Sequence, residues 1–314
     1  MSNSRIRTIF MGTPEFAVKP LLSIITDDDF EIIAVFTNPD EKVGRQQTIS
    51  EPPIKKTSIQ HKLPCYQPIK IKTEVKVIRE LKPDLIVVVA YGHLIPQAIL
   101  DIPRYGCINV HASILPQYRG ASCLQAPILN GDKKSGITIM KMEAGLDTGP
   151  IIKKEEIELA PDENLESLSN KLSALSGEII THTIKDYIAG KIKEKIQDEA
   201  EATYVKITTK EDGKIDFTKS ANEIERMVRA FYPWPTTWFE LNMPDGKNKK
   251  IQILKTDSAI IKGQFTEPGK FFKHQQQLGL QCGQDALSVT SLKIEGKNPI
   301  TSQAFMNGYK SLIK

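Results

Sequence analysis

The chain lacks the features that define membrane, disulfide-rich and zinc-binding proteins. None of its apolar runs approaches the ~20 residues that a membrane-spanning helix needs. Its four cysteines are widely spaced and include no Cys-x-x-Cys pair, so we expect neither a disulfide framework nor a structural zinc site. The first residues run into a predicted strand without the apolar region of a signal peptide. These absences predict a cytoplasmic protein with no membrane association.

A dinucleotide-binding loop is also missing. The first predicted strand begins at Ile6 and continues into Phe10-Met-Gly-Thr-Pro-Glu-Phe16, where a nicotinamide site would have Gly-x-Gly-x-x-Gly. Only one of the three glycines is present, and Pro14 removes a backbone N–H that could bind a pyrophosphate. We therefore do not expect a nicotinamide cofactor.

The length and the order of the apolar runs predict two domains. A chain of 314 residues exceeds one ordinary core, and 40% hydrophobic with 25% charged residues is normal for a globular protein. Over residues 1–189, apolar strands alternate with helical patterns, and Asp84–Ala90 is a continuous apolar run typical of a central parallel strand. This alternation predicts a doubly wound, mostly parallel α/β sheet.

The carboxyl-terminal part has a different pattern. A polar stretch at residues 190–208 has no apolar face and is interpreted as a linker. Residues 209–314 contain short strands separated by turn signals, which is typical of a small β-barrel. From Lys206 onward there are 17 Lys and Arg against 11 Asp and Glu, a net charge of +6, whereas residues 1–205 have a net charge of −2. A basic charge confined to one domain indicates contact with a phosphate backbone.

Three polar residues form the candidate catalytic site. Asn109 and His111 are two positions apart at the end of the predicted strand Gly106–Val110, so both side chains lie on one face. Ser113–Pro116 then forms a turn, and Asp147 follows in a loop between two glycines. An amide donor, an imidazole and a carboxylate can together polarise a carbonyl group, stabilise a developing oxyanion and accept a proton from an amine.

Simpler interpretations of these residues exist. An Asn and a His on one strand are more often satisfied polar residues at a sheet edge, and an Asp between glycines is usually a turn residue. Cys107 shares the face of Asn109 and His111, but a buried core cysteine explains it better than a thiol nucleophile.

The joint pattern resembles the signature of the folate-dependent formyltransferases. The matching residues are the run Cys107–Gly120, with Asn-x-His-x-Ser-hydrophobic-Leu-Pro and a following Arg-Gly, and then Gly145-Leu-Asp-Thr-Gly149. Phe10–Phe16 is similar to the opening of the methionyl-tRNA formyltransferases, and Ala230–Trp238 resembles a segment of their second domain. Taken without the family, this last segment is interpreted as the aromatic core of the small β domain.

The resemblance has three departures. Ala112 stands where the family usually has glycine, and Asn38 where it more often has glutamine. Ser122-Cys123 replaces a usual Ala-Pro pair, although Gln125 is kept.

The resemblance implies an activity and a set of site residues. The expected reaction transfers the formyl group of 10-formyltetrahydrofolate to the amino group of methionyl-initiator tRNA, without a metal and in a monomer. Asn109, His111 and Asp147 would be catalytic, Lys42 and Arg45 would contact tRNA, and the second domain would be OB-like. The folate-binding residues would be Ser113, Ile114, Leu115, Pro116, Ile86, Val88, Tyr91 and Ile95.

Two other functions are compatible with much of this pattern. One is a folate-dependent formyltransferase acting on an amino-sugar nucleotide. The other is a folate- or tRNA-binding protein without catalysis, although such a protein would not need the three catalytic side chains.

Overall fold

The computed structural model describes residues 5–43 and 48–314, which divide into two units. The first unit consists of the residues up to Cys123 together with Ser135–Ile157 and Ser169–Lys206. The second consists of Leu124–Lys134, Glu158–Leu168 and Ile207–Lys314. Within the described ranges, no helix is both long and apolar enough to cross a membrane.

A mostly parallel sheet forms the centre of the first unit. The strands in this part of the chain are β1 (Ile6–Gly12), β2 (Phe30–Phe36), β3 (Glu41–Val43), β4 (Thr48–Ser50), β5 (Cys65–Tyr66), β6 (Leu85–Val89), β7 (Cys107–His111), β8 (Arg119–Gly120), β9 (Lys134–Lys141), β10 (Ile151–Glu158) and β11 (Tyr204–Val205). Seven of them form one sheet in the order β10-β9-β7-β6-β1-β2-β5. The pairs β2·β5, β1·β2, β1·β6 and β6·β7 are parallel, and β7·β9 is antiparallel.

The centre of this sheet confirms the predicted α/β class. Every residue of β6 is buried, as expected for a parallel strand that is covered on both faces. The helices in this part of the chain are α1 (Val18–Thr26), α2 (Pro53–Gln60), α3 (Val75–Leu81), α4 (Gln97–Leu100), α5 (Gln125–Asn130) and α6 (Leu165–Ile188). A proline at the first position of α2 fits a helix start, because its missing N–H would have no helical partner there.

The second unit contains an antiparallel sheet. Its elements after residue 207 are α7 (Ala221–Phe231), β12 (Thr237–Asn242), β13 (Asn248–Thr256), β14 (Phe271–His274), β15 (Gln277–Gln281), β16 (Ala286–Ile294), β17 (Ile300–Thr301) and α8 (Ser302–Gly308). The sheet order is β12-β13-β16-β15-β14, with β17 on β16, and every pairing is antiparallel. The predicted carboxyl-terminal β domain is therefore confirmed.

A capping box starts α7 and directs its apolar face into this core. The Ser220 hydroxyl accepts from the Glu223 backbone N–H, and the Glu223 carboxylate accepts from the Ser220 N–H. Ile224 and Val228, one turn apart on the helix, pack in the same cluster as Phe239 of β12. Burial of this apolar stripe stabilises the helix against the sheet.

The aromatic segment before β12 is only partly core. Phe231 and Trp238 are buried, as the core interpretation predicts. Tyr232 and Trp234 are 43% and 50% exposed, so that interpretation is wrong for these two residues. The Thr236 N–H donates to the Phe231 carbonyl at 2.8 Å, and this bond closes a turn with both rings on the solvent side of the core.

Candidate active site

Strand β7 brings Asn109 and His111 to the carboxyl edge of the parallel sheet. β1, β6 and β7 run in the same direction, so the loops that follow them lie at one edge. His111 is the last residue of β7 and is buried, whereas Asn109 is half-buried. The predicted pair therefore shares one face at the position where sheets of this class bind ligands.

Asp147 lies close to both of these side chains. Its Oδ1 accepts from the Asn109 Nδ2 at 3.4 Å, and its Oδ2 is 3.6 Å from the His111 Nδ1. The Gly120 backbone N–H also donates to Oδ2, at 2.8 Å. The backbone of Asp147 is in the left-handed region, with φ of +53°, which Asp tolerates better than most residues. The structure thus brings the three predicted catalytic residues together.

The surroundings of His111 favour its protonated form. Its Nε2 is 3.0 Å from the Tyr118 carbonyl oxygen, and because a carbonyl only accepts, Nε2 carries a hydrogen. Burial lowers the pKa of His111, but hydrogen bonding and charge from Cys123, the negative charge of Asp147 and the Tyr118 carbonyl raise it to about 9. These contacts favour the protonated imidazole at neutral pH, with Nε2 facing the Tyr118 carbonyl and Nδ1 facing the Asp147 carboxylate.

The turn at Ser113–Pro116 is held by its own contacts and by a residue of β9. The Ser113 hydroxyl donates to the Gln117 carbonyl at 2.6 Å. The buried Thr138 hydroxyl donates to the Ser113 carbonyl at 2.7 Å and accepts from the Leu115 N–H at 3.0 Å. Thr138 pairs with His111 across the antiparallel strands β7 and β9, so one residue supports both the turn and the end of β7.

The predicted folate-binding residues fall into separate clusters. Ile86, Val88, Tyr91 and Ile95 belong to one core cluster, and Ile86 has no exposed surface. Leu115 is fully buried in another cluster, with Met140 and Ile151. The Tyr91 hydroxyl is buried and has no hydrogen-bond partner among residues 5–43 and 48–314, and burial raises its pKa to about 12. A buried polar group of this kind calls for a partner such as water or a ligand.

The loops after β1, β2 and β6 meet beside the site. The Thr13 hydroxyl donates to the Tyr91 carbonyl at 3.2 Å and accepts from the Asn38 N–H at 3.4 Å. The Nε2 of His93 is 2.9 Å from the Asn38 side-chain oxygen. Asn38 therefore connects three loops at this edge of the sheet.

Of the two residues predicted to contact tRNA, the structure describes Lys42 but not Arg45. Lys42 lies in β3 and is exposed. Arg45 lies outside the described residues.

Two contributors to the site were not singled out from the sequence. Thr138 pairs directly with His111 across β7 and β9, a register that only the folded strands reveal. Gln197 donates from its Nε2 to the carbonyls of Asp147 and Gly149 at 2.8 and 2.7 Å. It lies in a polar stretch without periodicity, so no sequence signal marks it.

The arrangement is suited to stabilising negative charge and to moving a proton. Asn109 uses one amide hydrogen toward Asp147, and its other hydrogen has no protein acceptor within the described part of the chain. His111 supplies a buried positive charge, and Asp147 supplies a carboxylate next to both. These groups fit acyl transfer to an amine better than redox chemistry.

Comparison with known proteins identifies the family. The family model described as "Formyl transferase" matches residues 4–184, and the one described as "Formyl transferase, C-terminal domain" matches residues 207–310. The chain belongs to the formyl transferase family. The predicted family resemblance is thereby confirmed.

Relatives within this family match over nearly their whole length. The chain is 41% identical to a methionyl-tRNA formyltransferase of Geobacter sulfurreducens, covering 97% of this chain and 94% of the relative. It is 40% identical to that of Idiomarina loihiensis, covering 98% of both. Among solved structures, an N-formyltransferase from Helicobacter canadensis in complex with folinic acid and dTDP-3-aminofucose has a similar fold. Its TM-score is 0.65 at 18% identity, covering 90% of this chain and 99% of that one.

Proposed function

We propose that this formyl transferase moves the formyl group of 10-formyltetrahydrofolate to the amino group of methionyl-initiator tRNA. The observation that carries the proposal is the cluster of Asn109, His111 and Asp147. In it, an amide hydrogen that no other described residue accepts lies beside a buried imidazole and a carboxylate. Relatives about 40% identical over the whole chain support the choice of acceptor.

Each of the three side chains has a distinct role in this proposal. The free Nδ2–H of Asn109 donates to the formyl oxygen. Both ring nitrogens of His111 face protein acceptors, so neither N–H is available to the formyl oxygen. His111 therefore stabilises the negative charge that develops on that oxygen through its own positive charge. Asp147 helps to keep His111 charged and accepts the proton that the attacking amine loses. That proton then passes to the folate nitrogen as the bond between this nitrogen and the formyl carbon breaks. A preorganised donor at such a position is typically worth ~3 kcal/mol of the activation barrier.

The residues at the carboxyl edge fit a folate. The folate supplies an activated formyl group on nitrogen and a leaving nitrogen. Ser113, Ile114, Leu115 and Pro116 form a turn fixed by Thr138 beside the catalytic residues. The unpartnered Tyr91 hydroxyl offers a buried polar contact in an otherwise apolar cluster with Ile86, Val88 and Ile95, which suits a flat heterocycle with polar edges.

The tRNA contacts belong to two parts of the chain in this proposal. Lys42 and Arg45 after β2 approach the acceptor end, where the planar guanidinium of Arg45 offers paired donors for phosphate. Residues 209–314 form an OB-like tRNA-binding domain after a catalytic domain at 1–189 and a connecting stretch at 190–208, whose residues up to Lys206 belong to the first unit. We also propose that the protein acts as a monomer in the cytoplasm.

The test is a formyl-transfer assay with purified protein and 10-formyltetrahydrofolate. Methionyl-initiator tRNA should be formylated, whereas uncharged tRNA and an amino-sugar nucleotide should not react. Formylation of the amino-sugar nucleotide alone would replace the proposed acceptor, and folate binding without transfer to either acceptor would make the chain a binding protein.

The charge of His111 predicts an alkaline limit to activity. Because the pKa of His111 is raised to about 9, kcat should fall above that pH as the imidazole loses its proton. Cys123→Ala should move this fall to lower pH, since Cys123 contributes to the raised pKa. The measurement is kcat for formyl transfer from pH 6 to 10.5, and an identical alkaline limb in both proteins would contradict the assignment.

The same group predicts a trend in stability. The folded pKa of His111 exceeds its unfolded value of 6.5, so the stabilisation is complete below about pH 6.5 and is lost as pH rises through about 9. The free energy of unfolding should therefore decrease over this window more in the unmodified protein than in His111→Gln. Urea denaturation at pH 6.5 and 9.5 measures this difference.

A further inference from the structure

Every polar atom of the Gln197 side chain is hydrogen-bonded, and its Nε2 bonds to the loop that carries Asp147. Its side chain is buried, and both hydrogens of its amide group go to this loop, one to the Asp147 carbonyl and one to the Gly149 carbonyl. Asp147 has φ of +53°, a backbone conformation that costs energy in a non-glycine residue. One side chain therefore holds both ends of a short, strained segment.

Arg119 holds Gln197 in turn. The Gln197 side-chain oxygen accepts from the Nε and Nη2 of Arg119 at 3.1 and 3.0 Å. The other Arg119 donors go to both carboxylate oxygens of Glu199, at 2.7 and 2.9 Å, and to the Tyr204 hydroxyl at 2.8 Å. All five N–H groups of this fully buried guanidinium thus have an acceptor, which fixes the orientation of the Gln197 amide.

The residue after Arg119 acts on the side chain of the same aspartate. The Gly120 N–H donates to Asp147 Oδ2 at 2.8 Å. Gly120 pairs with Val205 in β8·β11 and has φ of +113°, and a Cβ there would lie 2.3 Å from the Val205 carbonyl oxygen. The two-residue strand β8 therefore reaches Asp147 twice, through Gly120 to its carboxylate and through Arg119 and Gln197 to its backbone.

We propose that Gln197, locked by Arg119, is a positioning residue that fixes Asp147 against His111. The proposal rests on the proposed function in naming formyl transfer as the reaction that benefits. Gln197 has no part in binding the folate in this scheme. It keeps the Asp147 carboxylate within 3.6 Å of the His111 Nδ1. Misplacement by about 1 Å can cost about 100-fold in rate, so a loosened loop should affect turnover more than substrate binding.

Two substitutions separate the contacts of Gln197. Gln197→Met is similar in length and uncharged, and it removes every hydrogen bond of the amide. Gln197→Glu keeps an acceptor for Arg119 but removes both donors to the Asp147 loop. We expect both variants to lower kcat by about 10- to 100-fold with a nearly unchanged KM for the folate. Wild-type kcat in Gln197→Glu would overturn the proposal.

The pKa of His111 gives a readout that a purely structural role would not change. Asp147 contributes to raising it, so the histidine NMR titration of Gln197→Met should show His111 titrating at lower pH than in the unmodified protein. His111→Gln assigns the signal among the five histidines. A loss of kcat with an unchanged His111 titration would reduce Gln197 to a structural role and overturn the proposal.

The matched control is Gln281→Met in the second unit. Gln281 is also fully buried, accepts from the Phe265 N–H and donates to the Asp285 carbonyl. This variant should lose stability but keep the His111 titration and kcat.

If both Gln197 variants fail to fold, Glu199→Ala tests the same chain of contacts from its exposed end. The Glu199 side chain is 69% exposed, so its truncation opens no cavity in the core, and Arg119 keeps its contacts with Gln197 and Tyr204. The expected result is a smaller fall in kcat with an unchanged folate KM, and an unaltered kcat would overturn the proposal.

The NMR titration of His111 needs no turnover. An inactive unmodified protein would therefore refute the proposed function while leaving the positioning claim open to its own test.

Discussion

Asp147→Asn should lower kcat for formyl transfer by about 10²- to 10³-fold. The substituted side chain has the same shape, and its oxygen can still accept from the Gly120 N–H. It no longer carries the negative charge that helps to keep His111 protonated, and it cannot accept a proton from the amine. His111→Ala should have an effect at least as large, because it removes the buried cation next to the developing oxyanion.

The measurement is single-turnover formyl transfer at saturating folate, with folate affinity measured separately. Affinity should stay within a few-fold of the unmodified protein, because these groups act on charge that develops during the reaction. Asp28→Asn, at a fully exposed position in the same unit, is the matched control and should leave kcat unchanged. Near-normal turnover by His111→Ala would refute the assigned catalytic site.

Reversing two charges in the second unit should weaken tRNA binding strongly. Lys273 and Lys310 are exposed and line a cavity of about 540 Å³ together with Lys314, Met306 and Ile313. We expect Lys273→Glu combined with Lys310→Glu to raise the Kd for tRNA at least 10-fold. The slope of log Kd against log salt should also become shallower, since each lost phosphate contact reduces counterion release.

The control for this variant carries the same change in net charge. Lys62→Glu combined with Lys72→Glu alters two exposed lysines of the first unit that belong to none of the contacts described for the catalytic residues. It should change tRNA affinity only slightly and leave the salt slope as it is. Equal effects of the two double variants would show that net charge, and no particular surface of the second unit, governs binding.

The sequence predicted the features whose signal is local. The continuous apolar run at β6 predicts a strand in a sheet that is covered on both faces. The period-two spacing of Asn109 and His111 predicts that both side chains lie on one side of β7. Asp147 was found because the glycine-flanked motif marks it. Helix α2 was not predicted, since its eight residues carry little apolar periodicity.

Contacts between distant parts of the chain could not be predicted. Gln197 acts on Asp147 across 50 residues and on Arg119 across 78, and nothing in the polar stretch around it indicates those partners. The sequence also predicts burial at Tyr232 and Trp234, and the structure shows both exposed. An aromatic-rich segment has the same composition whether its rings point into the core or into solvent. Whether such a ring is buried depends on which other chain segments pack against it.

The second unit recruits residues from three separate segments, and this has a consequence for synthesis on the ribosome. Helix α5 belongs to that unit, where the Arg226 side chain of α7 donates to the Leu129 carbonyl at 2.9 Å across 97 residues. Likewise, Arg229 donates to the Glu163 carbonyl. During translation, α5 and the segment Glu158–Leu168 emerge long before α7 exists. In the nascent chain, these two segments therefore lack their packing partner α7 until nearly three quarters of the polypeptide has been made. Slow elongation or a stall between residues 168 and 221 should make the unfinished protein a substrate for chaperones.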